Sequence, residues 1–445
     1  MIELKAELAT VIMLGALIVG LFIGFPLAFV IGTIGLAVGF TKFGLPILNM
    51  LYSRAIDGVL FNYIFVAVPC FIFMGIMLER SGIGDQLFNA MYVWLGGLRG
   101  GLALVTMIIG TIMAATVAII AASVTMLAVA ALPPMIKRGY DKGLAAGTVA
   151  AGGCLGILIP PSVMLVLYGP MAQISVGKLF FAAFLPGFLL SGLYMLYIVL
   201  TSYINPAVAP AVPAQERAMP LSKKISMLVT SLLPTAVLIL AVLGVIFLGV
   251  APPTDAAGAG ALAATLLVIV YRKFSWKVLK ETCIETLRVT GFINLIVIMA
   301  FCFVGVFIGI GGGDVTTRFI LATPGGKWGA FVVIQLIVFI LGFFMDWIGI
   351  VFLVVPIATP IAKALGFDAV WFAMMICINL QSSFLTPPFA YAIFIIRGTA
   401  PPELGISMSD IIRGVIPFVI LILVGSALCI AFPQIITWLP GMMIK

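Results

Sequence analysis

Apolar residues run along the chain in long segments that are interrupted by Pro, Gly and small groups of charge. The order of these segments is the same in the two halves. Each half begins with two apolar segments around a proline, which a third apolar segment and a stretch of about 30 residues follow. A segment that is broken near a Pro-Pro pair and a last helix complete the half. They cover 8–25, 27–41, 59–78, 102–135, 143–168 and 178–203 in the first half, and 225–250, 254–271, 289–311, 328–363, 369–396 and 411–432 in the second.

The length of each segment predicts how it meets a membrane. A helix needs about 20 apolar residues to cross, so most of these segments predict single crossings. The stretches 102–135 and 328–363 are too short for two crossings and too long for one, and we interpret each as a re-entrant hairpin. We therefore expect an all-α polytopic membrane protein with five crossings, one hairpin and one broken helix in each half.

Matching residues at a near-constant offset show that the second half repeats the first. Pro133, Gly139, Tyr140 and Asp141 have counterparts 227 positions later, namely Pro360, Gly366, Phe367 and Asp368. The same offset relates the two Leu-x-Pro-Pro motifs, at 158–161 and 385–388. An ordered series of this kind predicts two structural repeats. Because five crossings is an odd number, we expect the repeats to have opposite orientations in the membrane.

The predicted domains are therefore a first repeat, 1–203, a linker, 204–224, and a second repeat, 225–445. The linker is rich in Pro and Ala, which is typical of an extended tether. With the N-terminus outside, fifteen of the 23 Lys and Arg residues fall on the face that holds the linker, so this face is predicted to be cytoplasmic. The N-terminal segment has no basic n-region, so we expect a first membrane helix rather than a signal peptide. The charged segment 276–288 predicts an amphipathic helix along the cytoplasmic interface.

Composition narrows the function. Hydrophobic residues make up 64% of the chain and charged residues 9%, which excludes a water-soluble domain. The chain contains no His, and its six Cys have no CxxC spacing, so transition-metal sites and His-dependent catalysis are not expected. We expect no enzyme activity. The basic residues are dispersed in short loops, which argues against nucleic-acid binding.

Two polar breaks in the apolar pattern are candidate sites for ions. Backbone that is not helical survives at membrane depth only where protein or a water-filled cavity satisfies it, and its free carbonyl groups can bind Na⁺. The first break is the Gly- and Pro-rich stretch 152–161, and the tip of hairpin one, near 116–125, is expected opposite it. The predicted ligands of a first Na⁺ site are Ser123, Thr125, Gly152, Gly153, Gly156 and Pro160.

The second break is a polar cluster in an otherwise apolar helix, opposite hairpin two. Asp346 is a carboxylate deep in a long apolar run, and a charge there is by default a functional hypothesis; an N-cap is the alternative interpretation. For the serine and threonine hydroxyls of the cluster, ordinary bonding to the backbone is as good an explanation as ion binding. The predicted ligands of the second Na⁺ site are Asp346, Asn379, Ser382, Ser383 and Thr386, and the predicted substrate contacts are Asn379, Gln381 and Ser162.

These motifs resemble the large membrane subunit of the tripartite ATP-independent periplasmic (TRAP) transporters. The matching pieces are 131–141, 156–162, 252–257, 344–346 and 385–388, in family order across essentially the whole chain. The resemblance implies an elevator-type carrier of the bacterial inner membrane that is coupled to Na⁺. It also implies a small four-helix membrane partner, a periplasmic substrate-binding protein and an organic acid anion as substrate, within membrane lipid. Many members have a Ser-Gly-Ser-Ser tip in hairpin one, which this chain replaces with Thr116-Val-Ala-Ile-Ile-Ala-Ala-Ser-Val-Thr125.

Three alternatives follow from the same features. A stand-alone Na⁺-coupled dicarboxylate carrier would share the inverted repeats and the paired hairpins. An integral membrane enzyme is disfavoured by the lack of His and of a metal-ligand cluster in the sequence. A passive channel fits poorly, because repeated hairpins that cap broken helices suit alternating access. Proton coupling would need titratable groups at membrane depth, where Asp346 is nearly the only one.

Overall fold

A computed structural model describes residues 5–114, 120–217, 219–388 and 390–443. The regular elements of these ranges are all helices, as predicted. Nine of the described helices are long and apolar enough to cross a membrane. The predicted all-α polytopic fold is therefore confirmed.

The first half has helices in each predicted segment and two further helices, α3 and α5, that the sequence did not predict. The hairpin consists of α6 and α7, the broken helix of α8 and α9, and the last helix is α10. In chain order they are α1 (Ala6–Ile23), α2 (Leu27–Phe43), α3 (Pro46–Ala55), α4 (Ala67–Arg80), α5 (Ile83–Leu95), α6 (Gly101–Ala114), α7 (Ile120–Lys137), α8 (Lys142–Cys154), α9 (Val163–Ala172) and α10 (Val176–Ile204).

The second half has corresponding elements, except that α3 has no separate counterpart, and it ends in one additional short helix. Its hairpin consists of α15 and α16, and its broken helix of α17 and α18. In chain order they are α11 (Leu221–Phe247), α12 (Pro253–Val270), α13 (Trp276–Gly309), α14 (Gly312–Leu321), α15 (Gly326–Leu341), α16 (Trp347–Ala364), α17 (Ala369–Ser383), α18 (Tyr391–Thr399), α19 (Met408–Ala431) and α20 (Gln434–Gly441).

The described part of the first arm of each hairpin is shorter than a membrane crossing. Helix α6 has 14 residues and α15 has 16, which correspond to about 21 and 24 Å of helix. A bilayer has a hydrocarbon core of about 30 Å. Arms of this length suit hairpins that enter and leave on one side, as the sequence predicts.

The repeated Gly-aromatic-Asp motif joins each hairpin to the broken helix after it. Gly139 and Gly366 have φ values of 77° and 74°, the left-handed conformation that commonly ends a helix. Asp141 then caps α8 by accepting the Leu144 N–H at 2.8 Å. Asp368 caps α17 in the same way, through the Trp371 N–H at 2.8 Å. The repeat therefore preserves a turn in which one helix ends and the next begins.

The aromatic residue of each motif ties this turn to the start of its hairpin by different chemistry. The Tyr140 hydroxyl accepts the N–H of Leu102, at the start of α6, at 3.2 Å. The Phe367 ring instead packs edge-on against Trp328, at the start of α15, with centroids 5.5 Å apart. Both contacts close the open end of the hairpin and so fix the relation between its two arms.

Helices α8 and α19 cross with their backbones in contact. Gly143 and Gly147 lie one turn apart on α8 and face Gly414 on α19. A Cβ added at Gly147 would collide with the Gly414 carbonyl group, and one added at Gly414 would lie 2.6 Å from the Gly143 carbonyl carbon. This small-xxx-small pattern is typical of close helix packing in membranes. It anchors the first broken helix to the last long helix of the second half.

The predicted separate interfacial helix, 276–288, is not a separate element. The structure joins it to the following apolar segment in the 34-residue helix α13. Ser275 caps the start of α13, and the segment has neither Pro nor an internal cap at which a helix would end. The charged part is therefore an extension of a membrane-spanning helix.

The linker between the repeats is packed rather than free. The Val208 carbonyl accepts the Asp141 N–H at 2.8 Å, and the Val212 N–H donates to the Gly96 carbonyl at 2.8 Å. Ala209 and Val212 are 0% and 2% exposed. The expected extended tether is therefore wrong for 208–212, because these backbone groups pair with the loops at the ends of α5 and α7 and the small side chains fill the space between them.

Candidate functional site

The two arms of hairpin one pack directly on the end of α8. A Cβ added at Gly153 would lie 3.0 Å from the Val124 Cα, and one added at Gly110 would lie 2.8 Å from the Gly152 carbonyl oxygen. The predicted contact between hairpin one and the Gly-rich break therefore exists, and glycine permits it. Ser123 is buried beside this contact, and its hydroxyl has no hydrogen-bond partner among the described residues. Residues 115–119, which include the predicted tip residue Thr116, lie outside the described residues.

The break between α8 and α9 is buried throughout. It contains a short 3-10 turn, Leu155–Ile157, followed by a cis peptide bond between Pro160 and Pro161. The hydroxyl of Ser162 donates to the Ile157 carbonyl and so closes this loop on itself. Gly156 and Pro160 are buried within it.

Hairpin two packs on α17 in an equivalent way. A Cβ at Gly342 would collide with the Ser383 hydroxyl, which therefore lies against the hairpin backbone. The Asn379 amide donates to the Gln335 carbonyl at 2.7 Å and to the Gln335 side-chain oxygen at 2.8 Å. Asn379 thus ties α17 to α15. The break that follows contains a second cis peptide bond, between Pro387 and Pro388.

The hydroxyl groups of the second polar cluster are of two kinds. Ser382 donates to the Asn379 carbonyl at 2.6 Å, and Thr386 donates to the Ser382 carbonyl at 2.7 Å. A hydroxyl that donates its proton keeps its oxygen lone pairs for another partner. The Ser383 hydroxyl and the Gln381 amide nitrogen are buried without a partner among the described residues.

Asp346 is an N-cap, one of the two interpretations that the sequence left open, and its role as an ion ligand stays a prediction. Its carboxylate caps α16 by accepting the Trp347 N–H at 2.8 Å. It also lines a cavity of about 580 Å³ in which both repeats meet. The cavity is lined by Ile72, Glu79, Ile120, Ala121, Ala122, Thr125, Val163, Glu285, Arg288, Val289, Phe292, Ile293, Asp346, Trp347, Ile348 and Tyr391.

The cavity has two walls of different origin. One wall comes from the hairpins and the segments after the Pro-Pro pairs, and it includes Thr125, Asp346 and Tyr391. The other comes from helices α4 and α13, with Glu79 and Arg288. The cavity thus brings together Thr125 and Asp346, which the sequence assigned to two different sites.

The remaining predicted site residues do not line this cavity. Asn379, Gln381 and Ser162, the predicted substrate contacts, lie in the packed breaks behind the hairpins, and their assignment stays a prediction. Sequence reasoning missed Glu79, Arg288 and Tyr391. The α13 wall consists of residues at the helical spacing, namely 285, 288, 289, 292 and 293. This spacing could have predicted from the sequence that they share one face of a helix.

An ion-pair group links α4 to α13 beside the cavity. Arg80 lies 2.6 Å from the Glu281 carboxylate and 2.8 Å from that of Glu285. The three side chains are 30%, 40% and 43% exposed, so solvent weakens each pair. The geometry nevertheless holds the α4 and α13 wall together at its charged end.

The oxygen atoms of the breaks fit a hard monovalent cation. Ser123 and Ser383 each place a buried hydroxyl without a partner beside a helix end that packs against a hairpin. A buried polar group without a partner is costly, and a bound Na⁺ would use the free lone pairs of these hydroxyl oxygens. Ser382 and Thr386 present further hydroxyl oxygens in the second break.

Comparisons with known proteins agree on one family. The model of the family "Tripartite ATP-independent periplasmic transporter, DctM component" matches residues 14–435. The sialic acid TRAP transporter permease of Haemophilus influenzae is 30% identical over 385 residues, which cover 85% of this chain and 60% of that protein. This chain thus spans less than two thirds of that relative. The C4-dicarboxylate TRAP transporter large permease of Vibrio cholerae is 26% identical over 403 residues, 86% of each chain.

A solved structure supports the fold. The Alcanivorax borkumensis YdaH transporter superposes with a TM-score of 0.64 at 15% identity, covering 96% of this chain and 99% of that one. This likeness concerns the fold alone. The match of the family model over almost the entire chain confirms the resemblance seen in the motifs. This multi-pass membrane protein belongs to the family of large permease subunits of the tripartite ATP-independent periplasmic transporters.

Proposed function

We propose that this chain is the membrane carrier of a Na⁺-driven uptake system for a small solute that bears a carboxylate. The single observation that carries the proposal is the cavity between the hairpin wall and the α4 and α13 wall. Two relatives are named for sialic acid and for C4-dicarboxylates, both of which are organic acids. Paired hairpins at broken helices are typical of carriers that bind ions and substrate near the membrane midplane.

Alternating access would arise from movement of the hairpin wall relative to α4 and α13. The hairpins are fastened to the broken helices through Gly153 and Gly342, where a side chain would collide, so each hairpin and its broken helix move together. Interfaces this close are bistable rather than continuously deformable. We propose an elevator-type movement of this body, with the α4 and α13 wall as scaffold.

Na⁺ would bind at the two breaks, and its binding would stabilise the packing of each hairpin on its broken helix. The ligands proposed are those assigned from the sequence, with Ser123 central to the first site and Ser383 to the second. Na⁺ can be coupled to the solute only if it binds the two conformational states of the carrier with different affinities. Asp346, a proposed ligand of the second site that also lines the cavity, would supply the negative charge.

The proposed partners are a small membrane subunit and a periplasmic binding protein, with the N-terminus of this chain in the periplasm of a bacterial inner membrane. The test is uptake of radiolabelled succinate and N-acetylneuraminate by proteoliposomes that contain the permease and its small subunit. We expect uptake only with an inward Na⁺ gradient and with binding protein outside. Uptake that persists without the binding protein would favour the stand-alone carrier, and uptake without Na⁺ would refute the coupling.

The elevator movement has a separate test. Cysteines placed at Ile72 on α4 and Ile348 on α16 line opposite walls of the cavity, in a chain whose exposed Cys283 and half-buried Cys70 are replaced by Ser. We expect a bifunctional maleimide to stop uptake in the double variant and to leave each single variant active. Normal uptake after complete cross-linking would contradict a relative movement of the two walls.

A further inference from the structure

Arg288 is the basic residue that the structure places on the wall of the cavity. It lies on α13 with Val289, Phe292 and Ile293, which face the same space. No Lys or other Arg of the described chain lines this cavity. Arg288 therefore borders a cavity of about 580 Å³, which has the size of a site for a small solute.

The neighbouring acids do not neutralise Arg288. Glu285 lies one helical turn before it, a spacing at which acid and base commonly pair on a helix. Instead, Glu285 pairs with Arg80 at 2.8 Å, and Glu281 pairs with Arg80 at 2.6 Å. Glu79 and Asp346 also line the cavity, and among the described residues no ion pair joins either of them to Arg288. Arg80 thus occupies the acids of α13 and leaves Arg288 without one.

A role in membrane topology does not account for this position. Lys277 and Lys280 stand near the start of α13 and do not line the cavity. Arg288 lies eleven residues beyond Lys277, about 16 Å further along the helix. An arginine that served only as an anchor would not need to face the space shared with Asp346 and Thr125.

We propose that Arg288 contacts the carboxylate of the transported solute from the scaffold wall and makes the permease prefer an acid over its neutral analogue. The inference rests on the proposed function and names a specificity residue for it. A guanidinium presents two parallel N–H donors to a carboxylate, which a lysine cannot reproduce. Because Asp346, Glu79 and Glu285 also line the cavity, its charged residues without Arg288 would all be acids, which repel an anion.

The test uses the permease with its small subunit, with the binding protein outside and an inward Na⁺ gradient, in three variants: Arg288→Gln, Arg288→Lys and the control Lys280→Gln. Lys280 is exposed on the same helix and does not line the cavity. Its substitution therefore removes one positive charge, as Arg288→Gln does, without changing the cavity wall. The probes are succinate with its monoamide succinamate, and N-acetylneuraminate with its methyl ester. Two measurements are made. The first is the KM and kcat of uptake, and the second is the concentration of each probe that gives half of its maximal increase in the unfolding temperature.

We expect Arg288→Gln to raise the KM for the acid about 10-fold, the effect of one lost hydrogen bond to a charged group. The preference for the acid in the unfolding measurement should fall by a similar factor. Arg288→Lys should retain part of both, and Lys280→Gln should match the wild type. If Arg288→Gln does not insert into the membrane, the test rests on Arg288→Lys. This variant should still prefer the acid over its neutral analogue, but less strongly than the wild type does.

Two results separate the proposals. If the wild type takes up none of the probes and is stabilised by none, both the proposed function and this inference are overturned. If the wild type takes up an acid and both Arg288 variants keep its KM and its preference over the neutral analogue, the function stands and the role of Arg288 is refuted.

Discussion

The crossing of α8 and α19 gives the sharpest prediction about stability. Gly147 is buried, and a Cβ there would collide with the Gly414 carbonyl group, lie 2.5 Å from its carbon and lie 3.0 Å from the Phe418 ring. Normal contacts of this kind are about 3.5–4.0 Å. The helices would therefore have to separate by about 1 Å, or the backbone would have to bend.

Gly147→Ala is expected to destabilise the protein by about 1–3 kcal/mol, the usual cost of adding a methyl group to a packed core. Replacing Gly by Ala also stabilises a helix by up to about 1 kcal/mol through helix propensity, as measured in water. The control must therefore be a Gly→Ala substitution within a helix that causes no collision. Gly192→Ala is this control, because Gly192 lies inside α10 and a Cβ there meets nothing within 4 Å.

Thermal unfolding in detergent, followed through the fluorescence of the six Trp residues, measures both variants against the wild type. We expect Gly192→Ala to unfold at or above the wild-type temperature and Gly147→Ala well below it. Equal midpoints for the two variants would show that α8 and α19 do not touch at this crossing. Binding of the small subunit should be measured in parallel, because a lost partner would also lower the midpoint.

Further substitutions at four positions test the site and its surroundings. Asp346→Asn should keep the N-cap of α16 and the unfolding temperature but lose Na⁺-dependent uptake, whereas Asp346→Ala should also lose about 1 kcal/mol of stability; unchanged Na⁺ dependence in both would remove the carboxylate from the site. Ser383→Ala should insert and unfold normally, since its buried hydroxyl has no partner, yet lose Na⁺-dependent transport; a large loss of stability would point to a structural hydroxyl instead. Arg80→Gln breaks two half-exposed ion pairs and should cost about 1 kcal/mol, while Glu281→Gln, which leaves the pair with Glu285, should cost less; a larger effect of Glu281→Gln in thermal unfolding would contradict the shared geometry.

The breaks of the candidate site could be located from the sequence, but the residues that face each other across it could not. The breaks at 152–161 and 379–388 follow from Gly, Pro and polar residues in apolar helices, and the structure places hairpins against both of them. The grouping of residues differed from the prediction. Thr125 and Asp346 line one cavity, whereas Asn379 is used to hold Gln335. Which side chains face each other across two helices depends on helix rotation and crossing, which no local pattern contains.

The sequence by itself determined the class of protein, the order of its elements and the position of each break. The reason is that these depend on local properties: the length of an apolar run, the missing N–H of proline, and the capping of α8 and α17 by Asp141 and Asp368.

Only the tertiary structure decided what depends on packing between distant segments. The linker residues 208–212 look like a free tether, yet they are buried because their backbone groups pair with the loop before α6 and the turn before α8. Arg288 looks like one of many basic anchors, yet Arg80, about 200 residues away in sequence, takes its natural acidic neighbour and leaves it facing the cavity. A contact between residues so far apart has no signature in either local sequence, so the chemistry of the cavity wall became visible only in three dimensions.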